Sequence, residues 1–202
     1  MGSYREHEEA LLDRALAGAP LLFVDFEASS LNQKRSYPIQ FGWQRVVGDR
    51  LTDSGSFLIR TAPEWDVPGA WSDEAARIHK INKDELVRGL APIAAAARTR
   101  DLIGDAVVIG DAPSYDRHWW RVLLDQLPAR PAPPVMIDLD ELGMRVAHGD
   151  EALLRAAREV ATTKRPATHR AGDDAMHLAV RWLEIQRRIR LSSKTRSAAP
   201  AL

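Results

Sequence analysis

Cysteine is absent from the 202-residue sequence, which excludes disulfide bonds, a thiolate nucleophile and a cysteine-ligated zinc site. An excess of charge is absent too, because 28 Lys and Arg residues balance 28 Asp and Glu residues. A net charge of zero provides no long-range field that would steer nucleic acid or an anionic membrane toward the protein. An anionic substrate must therefore be held by local groups.

Long hydrophobic runs are also lacking. No apolar stretch approaches the roughly 18 to 20 residues that cross a bilayer, and the charged N-terminus has no signal-peptide core. Together with the absence of cysteine, this predicts a cytoplasmic protein with no membrane partner. The content of 45% hydrophobic residues is ordinary for one soluble globular domain.

The order of the hydrophobic patterns predicts the fold class. Strands are predicted over residues 20–27, 40–47, 55–60, 106–110 and 135–137, and helices over 6–17, 73–79, 91–102, 115–127 and 172–190. A meander of three strands followed by two strands that alternate with helices predicts an α/β, ribonuclease-H-like fold. We expect a mixed five-stranded sheet flanked by helices.

The same patterns divide the chain into three parts. Residues 1–19 are predicted to form an N-terminal helical extension, and residues 20–190 the folded domain. Residues 191–202 are mostly Ser, Lys, Arg, Ala and Pro, which predicts a disordered tail.

Two carboxylates interrupt the first predicted strand. Asp25 and Glu27 lie one residue apart in the apolar run of residues 21–27. Side chains at positions i and i+2 of a strand point to the same face, so these carboxylates are neighbours. Their desolvation and mutual repulsion are costly unless a cation neutralises them or the strand emerges into water. A divalent metal site explains the pair best; a turn-capping Asp25 beside a solvated Glu27 is the alternative.

Two further carboxylates lie at strand and helix junctions, where the ligands of open α/β sheets gather. Asp116 follows the fourth predicted strand at the start of a helix, and Asp174 lies in the first turn of the last helix, five residues after His169. A helix start favours any acidic residue through the helix dipole, so Asp116 also has a structural alternative. We assign the neighbouring Asp173 to such a structural role and Asp174 to the metal site.

In this order the motifs resemble those of the DEDDh 3'-5' exonucleases, which include ribonuclease T, oligoribonuclease and the proofreading subunit of the bacterial replicative polymerase. The first family motif, Asp-x-Glu followed by small residues and a Leu, is similar to residues 25–31. The second, an aromatic residue before an Asp, is similar to Tyr115-Asp116, and the third, His-x4-Asp, to residues 169–174. A weaker match relates residues 78–81 to an Ile-His-Gly-Ile stretch.

The resemblance implies an enzyme that releases nucleoside 5'-monophosphates from the 3' end of single-stranded DNA or RNA. Two divalent ions, Mg²⁺ or Mn²⁺, suit hard oxygen ligands and phosphodiester hydrolysis. By the same resemblance, Asp25 bridges both ions, and Glu27 and Asp174 hold the ion that activates water. Asp116 then supports the other ion through water. His169 is the general base, a role that suits an imidazole with an ordinary pKa of about 6.5.

The resemblance also implies where the 3' end of the nucleic-acid strand binds. Leu31 occupies the position that packs against the terminal bases, and the backbone of Ala28, Ser29 and Ser30 occupies the position that meets the 3' hydroxyl. Arg170 flanks the third motif, and with Lys164 and Arg165 it forms a basic cluster. This cluster either holds phosphates or is a solvated basic loop.

Two features depart from the family pattern. Many members carry His-Asn where this chain has Asp111-Ala112-Pro113, which removes an Asn that contacts substrate and adds a negative charge. The helix before the first strand is an addition to which the sequence assigns no role. Trp119 and Trp120 are predicted to lie in the core or on the helix surface rather than to stack on bases.

Other functions fit the same residues. A nuclease-like domain could bind a nucleic-acid end or a partner protein without turnover, and a proofreading exonuclease would work beside a polymerase. Several family members are homodimers, so a homodimer is a further expectation from the resemblance. DNA and RNA, and short and long strands, remain alternatives, because contacts to the 2'-hydroxyl follow no motif.

Overall fold

A five-stranded sheet organises the computed structural model, which describes residues 4–197 of the chain and the side chains of residues 4–193. Its strands are β1 (Leu21–Ala28), β2 (Pro38–Val47), β3 (Arg50–Leu58), β4 (Val107–Gly110) and β5 (Met136–Asp138). Their order in the sheet is β3-β2-β1-β4-β5. The first three strands are antiparallel, and β4 and β5 run parallel to β1. The predicted ribonuclease-H-like α/β fold with a mixed sheet is confirmed.

Helices cover both faces of this sheet. They are α1 (Tyr4–Leu16), α2 (Asp73–His79), α3 (Pro92–Ile103), α4 (Pro113–Leu124), α5 (Leu139–Val146), α6 (Glu151–Lys164) and α7 (Ala171–Ser197). Short 3₁₀ turns span Pro63–Trp65 and Lys83–Arg88, the second beginning after Asn82. None of the helices within residues 4–197 is long and apolar enough to cross a membrane.

The alternation of side chains along β1 separates two hydrophobic cores. Leu22, Val24 and Phe26 pack into the core beneath α3 and α4, together with the buried Trp119 and Trp120. Both tryptophans therefore belong to the core rather than to a base-stacking surface. The intervening positions Leu21 and Phe23 face the opposite core beneath α1, α5 and α7.

Helix α1 is part of this second core. The side chains of Leu12 and Ala15 are buried against residues of β1 and β4, and Glu9 forms an ion pair of 2.6 Å with Arg145 of α5. The structure thus places the predicted N-terminal extension inside the domain. The sequence gives little sign of this, because most of the α1 surface is charged.

Two predicted boundaries differ from the structure. Strand β3 begins at Arg50 rather than at residue 55, because Gly48, with a positive φ of 63°, makes a tight turn that pairs Val47 with Arg50. β3 is an edge strand with an exposed, polar first half, which hides its strand pattern. Helix α7 continues through residues 191–197, where the sequence predicts a disordered tail; residues 198–202 lie outside the described part.

The weak Ile-His-Gly-Ile match at residues 78–81 forms the end of α2. His79 is buried, and its Nδ1 accepts a hydrogen bond of 3.0 Å from the Ile81 backbone N–H. Burial lowers the pKa of His79. This histidine therefore has the role of a helix-end residue, as its sequence position predicts.

Shortening a buried side chain of α1 tests whether the helix belongs to the domain. The side chain of Leu12 is 0% exposed and that of Leu16 is 47% exposed. We expect Leu12→Ala to lower the free energy of unfolding by about 2 to 5 kcal/mol and Leu16→Ala by about 0.5 kcal/mol or less, measured by urea denaturation. Equal and small effects of the two substitutions would show that α1 is detachable.

Candidate active site

The end of β1 carries Asp25 and Glu27 on the face that looks toward α7. They continue the row begun by Leu21 and Phe23, whose side chains lie in the core beneath that helix. Both carboxylates are half-buried, whereas Phe26 between them is buried on the opposite face. The prediction that the two carboxylates share one face of a strand is confirmed.

Helix α7 reaches these carboxylates because it crosses β2 in close contact. Gly42 of β2 pairs with Asp25, and a Cβ atom on Gly42 would lie 2.1 Å from the carbonyl carbon of Ala171. Gln40, which pairs with Glu27, accepts a hydrogen bond of 3.1 Å from the Ala171 N–H through its Oε1. The first turn of α7 is therefore fixed directly above the end of β1.

Five carboxylates meet at this point, in two overlapping groups. In each group the ligand oxygens lie within 4.8 Å of one another: the first group is Asp25, Glu27 and Asp174, and the second is Asp25, Asp111 and Asp116. The structure thus brings together all four carboxylates that the sequence predicts, with Asp25 in both groups.

Asp116 lies beneath the others, in the first turn of α4. It is 4% exposed; burial raises the pKa of its carboxylate, and the nearby backbone N–H of Phe26 partly opposes that rise. Its Oδ2 atom is buried without a hydrogen-bond partner. A capping role would use the carboxylate on the N–H groups of α4, so its engagement with β1 argues against the purely structural alternative.

Asp111 is the residue of this cluster that the sequence prediction omits. The parallel register of β1 and β4 pairs Phe23 with Ile109, and Ile109 faces the α7 core. Two residues further along both strands, the same alternation places Asp111 beside Asp25. An acidic residue two positions after an inward-facing Ile was the available signal, but the sequence does not reveal which strand neighbours β1.

His169 lines the cleft above the carboxylates. This cleft has a volume of about 300 Å³, and its walls include Asp25, Glu27, Asp111, His169 and Asp174. His169 is exposed, on the loop before α7, and its backbone has a left-handed φ of 56°. The loop is held by Thr168, whose N–H donates to Asp174 (2.8 Å) and whose hydroxyl donates to Asp173 (3.0 Å).

The residues after Glu27 divide into framework and surface. Every polar group of Ser29 takes part in an internal hydrogen bond: its hydroxyl donates to Ala70 O (2.6 Å) and accepts from Tyr37 N–H (3.0 Å), and its backbone bonds Tyr37 and Ser72. Ser29 therefore holds this loop. Ala28 is half-buried, Ser30 is buried, and Leu31 is 79% exposed.

The predicted basic cluster does not act as one unit. Lys164 forms an ion pair of 3.6 Å with the buried Glu184 of α7, and the carbonyl of Arg165 is 2.5 Å from Nδ1 of His177. Arg170 is the member whose charge acts on the carboxylates, because it partly opposes the rise in the pKa of Glu27 that burial and Asp174 cause. Its side chain lines a neighbouring pocket with Gln40, Ser56 and Asp173.

The electrostatics of the site favour protonation of carboxylates unless a cation is present. Burial, followed by the charge of Asp174, raises the pKa of Glu27 to about 7. Burial and the surrounding carboxylates raise the pKa of Asp25 well above its usual range, and burial with the charge of Asp111 does the same for Asp116. Carboxylate oxygens at this spacing, one of them buried without a partner, fit hard divalent cations such as Mg²⁺ or Mn²⁺.

Known proteins resemble this chain in sequence and in fold. The family model RNase_T, described as exonuclease, matches residues 22–180. Exonuclease I of E. coli in complex with a dA16 oligonucleotide has a TM-score of 0.64 at 18% identity, over 87% of this chain and 42% of that one. Its zinc-bound complex with single-stranded DNA has a TM-score of 0.62 at 18% identity, over 89% and 43%.

A second organism provides a similar structure. Exonuclease I of Methylocaldum szegediense has a TM-score of 0.64 at 21% identity, over 89% of this chain and 43% of that one. The chain thus spans less than half the length of these structures, and at this identity the likeness shows the fold. A comparison with curated proteins gives no match.

The close approach of α7 to β2 can be tested by adding one methyl group. Gly42→Ala would place its Cβ on the Ala171 carbonyl, so we expect α7 and Asp174 to shift and the free energy of unfolding to fall by about 2 kcal/mol or more. We also expect Mn²⁺ to raise the melting temperature of the wild type but not that of Gly42→Ala. Gly143→Ala is the control, because its Cβ meets only the tips of Leu154 (3.1 Å) and Ile185 (3.3 Å); if both variants behave alike, the contact does not position the site.

The raised pKa of Glu27 predicts how stability changes with pH in EDTA. Between the ordinary value of 4.5 and about 7, the folded protein keeps a proton on Glu27 that the unfolded chain has lost. The free energy of unfolding attributable to this group therefore falls as the pH rises through that window. We expect Glu27→Gln to stabilise the metal-free protein more near pH 8 than near pH 5, measured by thermal unfolding. An effect that is the same at both pH values would contradict this.

Proposed function

Because the chain belongs to the exonuclease family whose model matches residues 22–180, we propose that it is a metal-dependent 3'-5' exonuclease. It hydrolyses phosphodiester bonds at the 3' end of single-stranded nucleic acid and releases nucleoside 5'-monophosphates. The observation that carries the proposal is the membership of Asp25 in two carboxylate groups that share no other residue. Such an arrangement matches a pair of adjacent cation sites that share one ligand.

The donor sets of the two sites follow from these groups. Glu27 and Asp174 would hold one ion with Asp25, and Asp116 would support the other. When bound, two divalent ions about 4 Å apart neutralise the phosphoryl oxygens and make water nucleophilic at neutral pH. The half-buried position of Asp25 and Glu27 keeps these carboxylates partly shielded from solvent, which strengthens their attraction for cations.

His169 would accept the proton of the attacking water. The water oxygen forms a bond to phosphorus, and the bond between phosphorus and the 3' oxygen breaks. The departing 3' oxygen takes up a proton from solvent. His169 suits this role because it lines the cleft, is exposed, and lies on a loop whose neighbour Thr168 is tied to Asp174. One hydrogen bond thus links the backbone beside the imidazole to this metal ligand.

The 3' end of the nucleic-acid strand would enter the cleft, with Leu31 and Arg170 contacting its last nucleotides. Leu31 is 79% exposed, and an exposed apolar side chain is free to pack against a terminal base. The backbone of Ala28 and Ser30 would face the terminal nucleotide, with Ser29 as their support. Similar exonuclease I structures hold dA16 and dT13 oligonucleotides, which makes single-stranded DNA the first substrate to test and RNA the second.

The proposal is tested by incubating 5'-labelled single-stranded DNA and RNA with the protein and Mn²⁺, Mg²⁺ or EDTA. We expect a stepwise ladder that shortens from the 3' end, requires metal, and falls by about a hundredfold or more in Asp25→Asn, Asp174→Asn and His169→Ala. Asp49→Asn and His148→Ala are matched controls, because both side chains are exposed and lie outside the cleft-lining residues. These controls should retain wild-type rates.

Two results would contradict the proposal. Full activity of Asp25→Asn on a substrate that the wild type degrades would remove the shared ligand from the mechanism. Tight binding of the labelled strand without cleavage in any metal would instead identify a nuclease-like binding module.

A further inference from the structure

We propose that Asp111 is a direct ligand of the second cation site, so that this chain binds two divalent ions before any nucleic acid arrives. The inference rests on the proposed metal site and assigns it a residue beyond the family motifs. The motifs leave Asp111 unassigned, and in this chain an anionic oxygen donor follows β4 directly.

The position of Asp111 is fixed by the sheet rather than by a flexible loop. It follows Gly110, the last residue of β4, and Gly110 is itself paired with Asp138 of β5. Asp111 therefore directly follows a strand that pairs with β1 on one side and β5 on the other. Its carboxylate lies within 4.8 Å of those of Asp25 and Asp116, which come from a different strand and from a helix.

The surroundings of Asp111 give its carboxylate no structural partner. Within the described part of the chain it forms no hydrogen bond or ion pair. Helix α4 is preceded by Ala112 without a side-chain cap, so Asp111 does not cap it. By contrast, Asp138 at the start of α5 accepts a hydrogen bond of 2.7 Å from the Asp140 N–H.

A buried cation nearby is already committed elsewhere. Arg181 of α7 is 4% exposed, and its guanidinium is paired with Asp140. Burial lowers the pKa of Arg181 and the nearby charge of Asp111 partly opposes this, but no ion pair joins the two side chains. Arg181 thus leaves the Asp111 carboxylate without a direct partner.

A second observation points to a ligand at this position. The Oδ2 atom of Asp116 is buried without a partner, and a Cβ on Gly110 would lie 3.1 Å from it. The glycine thus leaves room for the Asp116 carboxylate between β4 and the cluster. Two carboxylates, Asp111 and Asp116, then converge with Asp25 around one point, which is a sufficient donor set for a cation that keeps several waters.

Direct ligation by Asp111 has a consequence for the order of binding. A site supported only through water by Asp116 depends on the substrate phosphate to hold its ion. A site with an added anionic ligand holds its ion without substrate. The chain should therefore bind close to two equivalents of Mn²⁺ in the absence of nucleic acid.

Calorimetric titration of the metal-free full chain with MnCl₂ tests this proposal, with Asp111→Asn and Asp111→Ala as variants. We expect two sites in the wild type and a weakening of the second site by about tenfold or more in both variants, since even loss of an outer-shell partner costs 10- to 100-fold. Asp138→Asn is the control: it removes a nearby carboxylate while Asn preserves the cap. Circular dichroism verifies that all variants are folded.

Each outcome decides the proposal. Loss of the second site in the Asp111 variants but not in Asp138→Asn supports it. Unchanged titration of the Asp111 variants, equal weakening in Asp138→Asn, or a single site in the wild type overturns it. Two sites, of which the second depends on Asp111, in a protein that degrades no strand would support the ligand assignment while refuting the exonuclease function.

Discussion

The repulsion among the carboxylates around Asp25 is the constraint on which the rest of the site depends. Asp25 is half-buried, and the four side chains grouped with its carboxylate in space are carboxylates too. Bringing such groups together lowers stability, because burial disfavours their charged forms and each charge repels the next. A bound cation would offset this loss of stability. Residues that serve function in this way commonly make a protein less stable than it could be.

The fold holds these charges together through an apolar framework. Strand β1 is anchored on one side by the aromatic core around Trp120 and on the other by the core that includes α1 and α7. Gly42 and Gln40 then bring the start of α7 onto β2, so that Asp174 reaches the end of β1. The negative cluster is thus a product of close backbone packing, which gives its carboxylates little freedom to move apart.

Local patterns explain which parts of this arrangement could be predicted from the sequence. Asp25 and Glu27 stand out because alternation along a strand is a local property, and Asp116 and Asp174 because they follow element boundaries. Asp111 could not be assigned in the same way, since its contact with Asp25 depends on the parallel pairing of β1 with β4. The burial of α1 likewise depends on tertiary packing.

The position of the shared ligand is tested most directly by diffraction from crystals soaked with Mn²⁺ and a nucleoside 5'-monophosphate, recorded at a wavelength where Mn²⁺ scatters anomalously. We expect two anomalous peaks about 4 Å apart with Asp25 between them. One peak should contact Glu27 and Asp174, and the other should lie on the side of Asp116. The absence of a peak at Asp25, or a single peak that leaves Asp116 without a cation, would contradict it.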